Sequence, residues 1–212
     1  MTTIPLSLRL KKRLHRDIAI AQDAVMRELF AVFEDAVFHG GTAIWRCYGG
    51  NRFSEDIDVY LPKDSARLDM LFRNMESAGF VVKKRKIGDN SMFSSLELNG
   101  AEVRLEALFR TAKGSLGEYE TADGNLMTVY TLTPEELVAE KAAAYLNRRK
   151  IRDLYDVFFL LRLVKDRAKV AGHLKRLVEG FKEPVDEKEL RVLVIDSLTP
   201  TSERMLEYIK RH

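Results

Sequence analysis

Apolar side chains recur at helical spacing from Leu14 through Ile18, Ala21, Val25, Leu29 and Val32, which predicts an amphipathic helix over residues 13–33. Residues 36–38 then read as a short strand feeding Gly40-Gly41, and 42–47 as a second short helix. Residues 57–61 alternate as a strand. Asp64 stands where an N-cap belongs, Leu68, Leu71, Phe72 and Met75 line one face behind it, and Gly79 suits the stop. The period then shortens to two. Strands are predicted over 80–86, 91–98 and 102–109, with turns at Asp89-Asn90 and at Asn99-Gly100, the second a hairpin signal. Residues 111–125 are glycine-rich and polar and read as a loop, followed by a strand over 126–132.

Thr133-Pro134-Glu135-Glu136 is a capping box with proline at the first helical position. From there the period stays helical, over 134–147, 151–163, 166–179, 186–195 and 202–210. The expected architecture is therefore α/β (α+β): a mixed sheet flanked by helices in residues 1–132, then a helical bundle in 133–212.

Composition narrows the class. With 46% hydrophobic residues in 212 the chain has enough apolar surface for a real core, which argues against disorder. A net charge of +3 does not by itself mark a nucleic-acid binder, although basic residues cluster at Arg9 to Arg16, Lys83 to Lys86 and Arg148 to Arg152. Cys47 is the sole cysteine, so an intramolecular disulfide and a cysteine metal cluster are excluded, and a reducing cytoplasm fits. No apolar signal core and no membrane-length apolar run occurs, so no membrane partner is expected.

The chemistry concentrates in His39 to Tyr60, HGGTAIWRCYGGNRFSEDIDVY. Asp56 and Asp58 are two apart in a strand and share a face, while Ile57 and Val59 turn to the other. Paired carboxylates repel unless a hard cation joins them, and Mg²⁺ is the usual one in phosphoryl chemistry. The Gly40-Gly41-Thr42 turn offers backbone N–H groups to a phosphate. A two-ion site wants a third carboxylate from a neighbouring strand, and Glu106 is the candidate; the alternative pairs Glu106 with Arg104 on its own strand. Arg52 and Ser54 are placed to touch phosphate or to stabilise the turn. Lys141, on the helix opened by the capping box, is either a point charge for a triphosphate or a solvated lysine. Asp153, in Arg152-Asp153-Leu154-Tyr155-Asp156, either orients a cation or accepts a proton, or simply bridges to a nearby arginine. His15, His39, His173 and His212 show no metal spacing, and Trp45 and Tyr48 are expected in the core.

Gly40-Gly41-Thr42-Ala43, Arg52-Phe53-Ser54-Glu55-Asp56-Ile57-Asp58, Lys141 and Arg152-Asp153-Leu154-Tyr155-Asp156 stand in an order that resembles the nucleotidyltransferase superfamily. More narrowly the chain is similar to the AbiEii/AbiGii toxins of type IV toxin–antitoxin systems, over roughly residues 35–165. The resemblance implies a nucleotidyltransferase-like fold, Asp56 and Asp58 as Mg²⁺ ligands, and Gly41 with Thr42 at the triphosphate. It also implies Lys141 as a nucleotide contact and Asp153 as a catalytic or orienting acid. Gly-Gly replaces the superfamily's Gly-Ser, so Thr42 stands in for the serine, and fourteen residues, 42–55, separate Gly41 from Asp56.

The expected function is Mg²⁺-dependent transfer, with two ions, of a nucleoside monophosphate from an NTP to a hydroxyl of RNA or protein. Analogy adds the 3′ end of tRNA as one acceptor and a cognate antitoxin as partner. In that reading the aspartate pair forms one side of an interdomain cleft and Lys141 with Asp153 the other. The rivals are a kinase on the same fold and a binding module for NTP or RNA that has lost its chemistry.

Overall fold

The computed structural model describes residues 4–196 and 198–212. They form two compact units: residues up to Tyr48 with Phe53–Thr131, and Gly49–Arg52 with Leu132–His212.

The first unit runs α1 (Leu6–Arg9), α2 (Arg13–Val32), β1 (Val37–His39), α3 (Gly40–Cys47), β2 (Asp56–Leu61), α4 (Ser65–Ser77), β3 (Val81–Ile87), β4 (Ser91–Leu98), β5 (Ala101–Phe109), β6 (Ser115–Glu120) and β7 (Leu126–Thr131). The seven strands make one mixed sheet in the order β3-β4-β5-β2-β1-β7-β6. Strand β2 is central, parallel to β5 and antiparallel to β1. One face carries Phe38, Ile57, Val59, Val103, Leu105 and Met92, all buried. Leu29 of α2 and Leu68, Leu71 and Met75 of α4 are buried with them, each such side chain contributing about 1.5–3 kcal/mol. Asp64 caps α4 by accepting from the Arg67 N–H. Asn99 and Gly100 turn between β4 and β5 with φ of 51° and 82°, the double left-handed geometry of a type I′ hairpin.

The expected loop over 111–125 contains a strand instead: β6 pairs antiparallel with β7, opposing Tyr119 to Met127 and Gly117 to Val129. The glycine that suggested a loop is a packing glycine. A Cβ at Gly117 would lie 2.6 Å from Thr131 Cγ2.

The second unit holds α5 (Pro134–Arg148), α6 (Ile151–Leu160), α7 (Arg167–Glu179), a 3-10 turn at Glu187–Glu189, α8 (Leu190–Leu193) and α9 (Ser202–Ile209). The capping box of α5 is present, with Glu136 closing on the Thr133 N–H. Residues 186–195, expected as one helix, break into the 3-10 turn and a single α turn. The segment Gly49–Arg52 belongs to this unit: Asn51 and Arg52 lie against the chain at Val194 to Asp196, through an isolated Arg52–Val194 bridge and the Ile195 N–H donating to Asn51 O at 3.0 Å. Among the described residues no helix is long and apolar enough to cross a membrane.

Candidate active site

Register puts the carboxylates together on one face. Asp58 of β2 lies opposite Glu106 of β5, Asp56 opposite Arg104, and His39 of β1 opposite Asp58. Asp56 and Asp58 are half-buried and Glu106 is exposed. Both aspartates lie inside β2, one residue earlier than the predicted start. Arg104 does not pair with Glu106. Its Nε makes an ion pair with Asp56 Oδ1, and Nη2 reaches Glu55 at 3.6 Å. The Arg104–Asp56 contact lacks hydrogen-bond alignment, so Asp56 Oδ1 is buried without a hydrogen-bond partner.

The glycine turn is the first turn of α3. Gly40 has φ of +76°, and a Cβ on it would stand 2.1 Å from Asp58 Oδ2. Only glycine lets the helix start this close to the carboxylate. Thr42, fully buried, donates its hydroxyl to the Asp56 carbonyl and so pins α3 to the start of β2. The amides of residues 40–43 begin a helix and have no partner within it, which is the general basis of anion binding at helix N-termini. Ser54 contributes its carbonyl, which accepts from Gln22 Nε2 at 2.9 Å; the next carbonyl, of Glu55, accepts from the same amide at 3.0 Å.

Gln22 belongs to a buried network that sequence reasoning missed. Arg46 reaches Gln22 Oε1 at 3.4 Å and pairs with Asp23, and its Nε donates to Glu120 O at 2.7 Å. Tyr119 Oη and the Ala122 N–H also donate to Asp23. Burial pushes the Asp23 carboxyl above its usual value, against the pull of Arg46 and these donors. The network fixes the approach to β2 through Gln22. The available signal was a pair of polar residues, Gln22-Asp23, on the apolar face of α2, and an arginine inside the apolar run 43–47. Cys47 takes no part: burial pushes its thiol up to about 12.

A hard, oxygen-binding cation fits this donor set. The ligands are carboxylates on one face, Asp56 Oδ1 is a buried oxygen short of a donor, and Gly40 leaves Asp58 room that a side chain would fill. Among the described residues, however, no three His, Cys, Asp or Glu side chains stand together as a ready metal cluster. Arg104, set against Asp56, holds the place of a countercharge.

In the second unit, α5 and α6 assemble a buried ionic cluster. Lys141 Nζ lies 3.0 Å from Asp156 and 3.8 Å from Asp153. Arg52 grips Asp156 with two bonds of 2.9 and 2.7 Å, and Arg148 grips Asp153 with two of 2.7 and 2.8 Å. Asp153 and Asp156 are 0% and 1% exposed, Arg52 4% and Lys141 7%, so none of the four is a solvated surface group. Burial opposes ionisation of Asp156, but Arg52 and then Lys141 outweigh it and hold the carboxyl below its usual value. Burial likewise works against the charge on Arg52, and Asp156 reverses that and raises it. Asp153 is closed off from solvent and clamped by Arg148. Asp156, which gathers Lys141 and Arg52, stands out in the sequence only as the last residue of Arg152-Asp153-Leu154-Tyr155-Asp156.

The profile of the family described as nucleotidyl transferase AbiEii toxin, type IV toxin–antitoxin system, matches residues 24–211. Among solved structures, MenT4, a nucleotidyltransferase toxin from Mycobacterium tuberculosis, is 21% identical with a TM-score of 0.64, covering 96% of this chain and 86% of its own. JHP933 from Helicobacter pylori is 21% identical with a TM-score of 0.58, over 90% of this chain and 88% of that one. A putative nucleotidyltransferase from H. pylori is 20% identical at 0.61, over 90% and 91%. At these identities the structures show a shared fold. No curated protein matches the sequence.

Proposed function

Since this chain belongs to the nucleotidyl transferase AbiEii toxin family of type IV toxin–antitoxin systems, we propose that it transfers a nucleoside monophosphate from an NTP to a hydroxyl of RNA or protein, with Mg²⁺ at Asp56, Asp58 and Glu106. One observation carries the reading: the parallel register that sets Asp58 beside Glu106 and leaves Asp56 on the same face with an unsatisfied buried oxygen. In the reaction the acceptor oxygen bonds to the α-phosphorus, the bond to pyrophosphate breaks, and the hydroxyl proton leaves to solvent. Mg²⁺, as two ions, would supply charge neutralisation for the triphosphate and acidify the attacking hydroxyl.

The chain's own groups bind and orient. The α3 amides at Gly40, Gly41 and Thr42 offer N–H donors to phosphate oxygens, and Thr42 keeps Asp56 in register. Gln22 fixes the backbone at Ser54, on the approach to Asp56. In the second unit Lys141 is the nucleotide contact, and Asp153 and Asp156 are positioning residues that hold it and Arg52. A cognate antitoxin is the expected protein partner, and the 3′ end of tRNA is one acceptor of the proposed class.

The test is incubation of wild type and Asp58→Ala with each α-labelled and γ-labelled NTP in total RNA and in lysate. Wild type should move α-label into macromolecules, and Asp58→Ala should not while melting as a folded protein. Undiminished labelling by the variant removes Asp58 from the mechanism. Transfer of γ-label alone replaces the reading with a kinase, and Mg²⁺-dependent NTP binding without any labelling replaces it with a binding module.

A further inference from the structure

We propose that single-stranded RNA docks on the β3–β4 end of the sheet, over Lys84, Lys86 and Phe93. The choice of reacting site rests on the transferase reading above; the docking surface does not.

The sheet register draws a continuous row across one face. Lys86 lies opposite Phe93, Phe93 opposite Glu106, Glu106 opposite Asp58 and Asp58 opposite His39. The next row runs Lys84, Ser95, Arg104, Asp56. At the usual strand spacing of about 4.8 Å, Lys86 is roughly 14 Å from Asp58. That is the length of about four stacked nucleotides at about 3.4 Å each.

Strand β3 carries four consecutive basic residues, and the structure treats them differently. Lys83 is neutralised by Glu97 at 3.1 Å. Arg85 turns to the helical face, where it pairs with Asp69 at 2.6 Å and lies over the Phe72 ring at 4.2 Å. Lys84 and Lys86 point to the carboxylate-bearing face and are exposed. Among the described residues neither has a carboxylate partner. Lys84 Nζ instead stands 5.2 Å from the centre of the half-buried Phe93 ring.

Lysines often guard an edge strand against pairing with other chains. That explains charge on β3, but not why the two on the reactive face stay unneutralised beside an aromatic ring. A row of free cations with an interleaved aromatic is what a single strand of nucleic acid uses: phosphates take the ammonium groups and a base takes the ring. An acidic peptide could meet the lysines but offers no base to stack on the Phe93 ring, so the surface favours RNA over protein.

The probe is a 5′-fluorescein single-stranded RNA of mixed sequence, about 12 nucleotides long. Its affinity is read by anisotropy against salt, with unlabelled NTP affinity measured in parallel. The Lys84→Ala/Lys86→Ala variant should bind about tenfold more weakly, and its log–log salt slope should fall by about 1.4, at about 0.7 for each phosphate no longer neutralised. Phe93→Leu, which keeps an apolar side chain but not the ring face, should weaken binding at least about fivefold. Lys83→Ala should stay within about twofold, and NTP affinity should not change in any variant. Wild-type affinity in the double-lysine variant overturns the proposal. If wild type labels nothing, yet RNA affinity depends on Lys84 and Lys86, the surface stands and the transferase reading fails.

Discussion

Replacing Gly40 by alanine probes the contact between α3 and Asp58. Two costs add. At φ +76° an L-residue sits in the left-handed region, at about 1–2 kcal/mol. The new Cβ would also lie 2.1 Å from Asp58 Oδ2, 2.8 Å from its Cγ and 2.9 Å from its Cβ. Relieving such overpacking costs typically about 1–3 kcal/mol. The sum, about 2–5 kcal/mol, corresponds to a fall in Tm on the order of 10 °C for a chain of this size. Because the clash falls mostly on one carboxylate, the cost depends on that carboxylate. In an Asp58→Ala background Oδ2 and Cγ are gone, and Gly40→Ala should cost at least about 1 kcal/mol less. Urea denaturation of wild type, both single variants and the double variant measures this coupling. Label transfer by Gly40→Ala should fall about 100-fold or more, since a displacement of 1 Å can cost that much. Equal costs of Gly40→Ala in both backgrounds would refute the packing argument, and full activity in the single variant would refute the placement of Asp58 in the reaction.

The ionic cluster of the second unit yields two further expectations. The Asp156 carboxyl is held below its ordinary value in the folded chain, so the stability it contributes is present above the unfolded value near 3.8 and is lost as pH falls through the folded one. Asp156→Asn should therefore flatten the loss of stability as pH falls below about 4 and lower stability at neutral pH, by about 3 kcal/mol if Arg52 and Lys141 are left uncompensated; an unchanged acid limb in urea titrations would contradict this. Lys141→Met leaves Asp153 with Arg148 and Asp156 with Arg52, so it should cost only about 1–2 kcal/mol in Tm and denaturant assays, while the KM for NTP rises about tenfold. A stable variant with wild-type KM would remove Lys141 from the nucleotide contact.

The legible parts of the chain were those whose signal is local. The capping box at Thr133, the Asp64 cap and the Asn99-Gly100 hairpin each involve partners within three residues, and the structure shows all three. Helix α2 was read from its period and runs over Arg13–Val32. Strand β6 was hidden because the need for Gly117 comes from Thr131, a residue on the neighbouring strand. The carboxylate face was half legible. Alternation placed Asp56 and Asp58 together, but their neighbours are set by the β2–β5 register, which pairs residues 48 apart in sequence and puts Arg104 against Asp56. The Arg46–Asp23–Tyr119 network joins side chains 23 and 96 residues apart and left only the trace of polar residues in apolar runs. Arg52 is the sharpest case. The sequence left it either to touch phosphate or to stabilise the turn and gave no sign of Asp156, 104 residues on, which its guanidinium binds.

That binding bears on why the second unit buries charge at all. Taking two carboxylates out of water costs several kcal/mol each, and a buried ion pair is often no more stabilising than apolar side chains of the same volume. Asp153 and Asp156 each have an arginine held by two bonds, which goes far to compensate them. Lys141 is then not required for neutralisation, yet it sits between both carboxylates at 3.0 and 3.8 Å with little exposure. A long, flexible ammonium group fixed by two rigid anchors has already lost its rotamer freedom, so in the proposed function a triphosphate that met it would not need to supply that ordering again. The cluster is thus better explained as a device for holding a cation still than as a contribution to stability. In the proposed function that makes the aspartates of α6 positioning groups, distinct in role from the sheet carboxylates proposed to hold the metal.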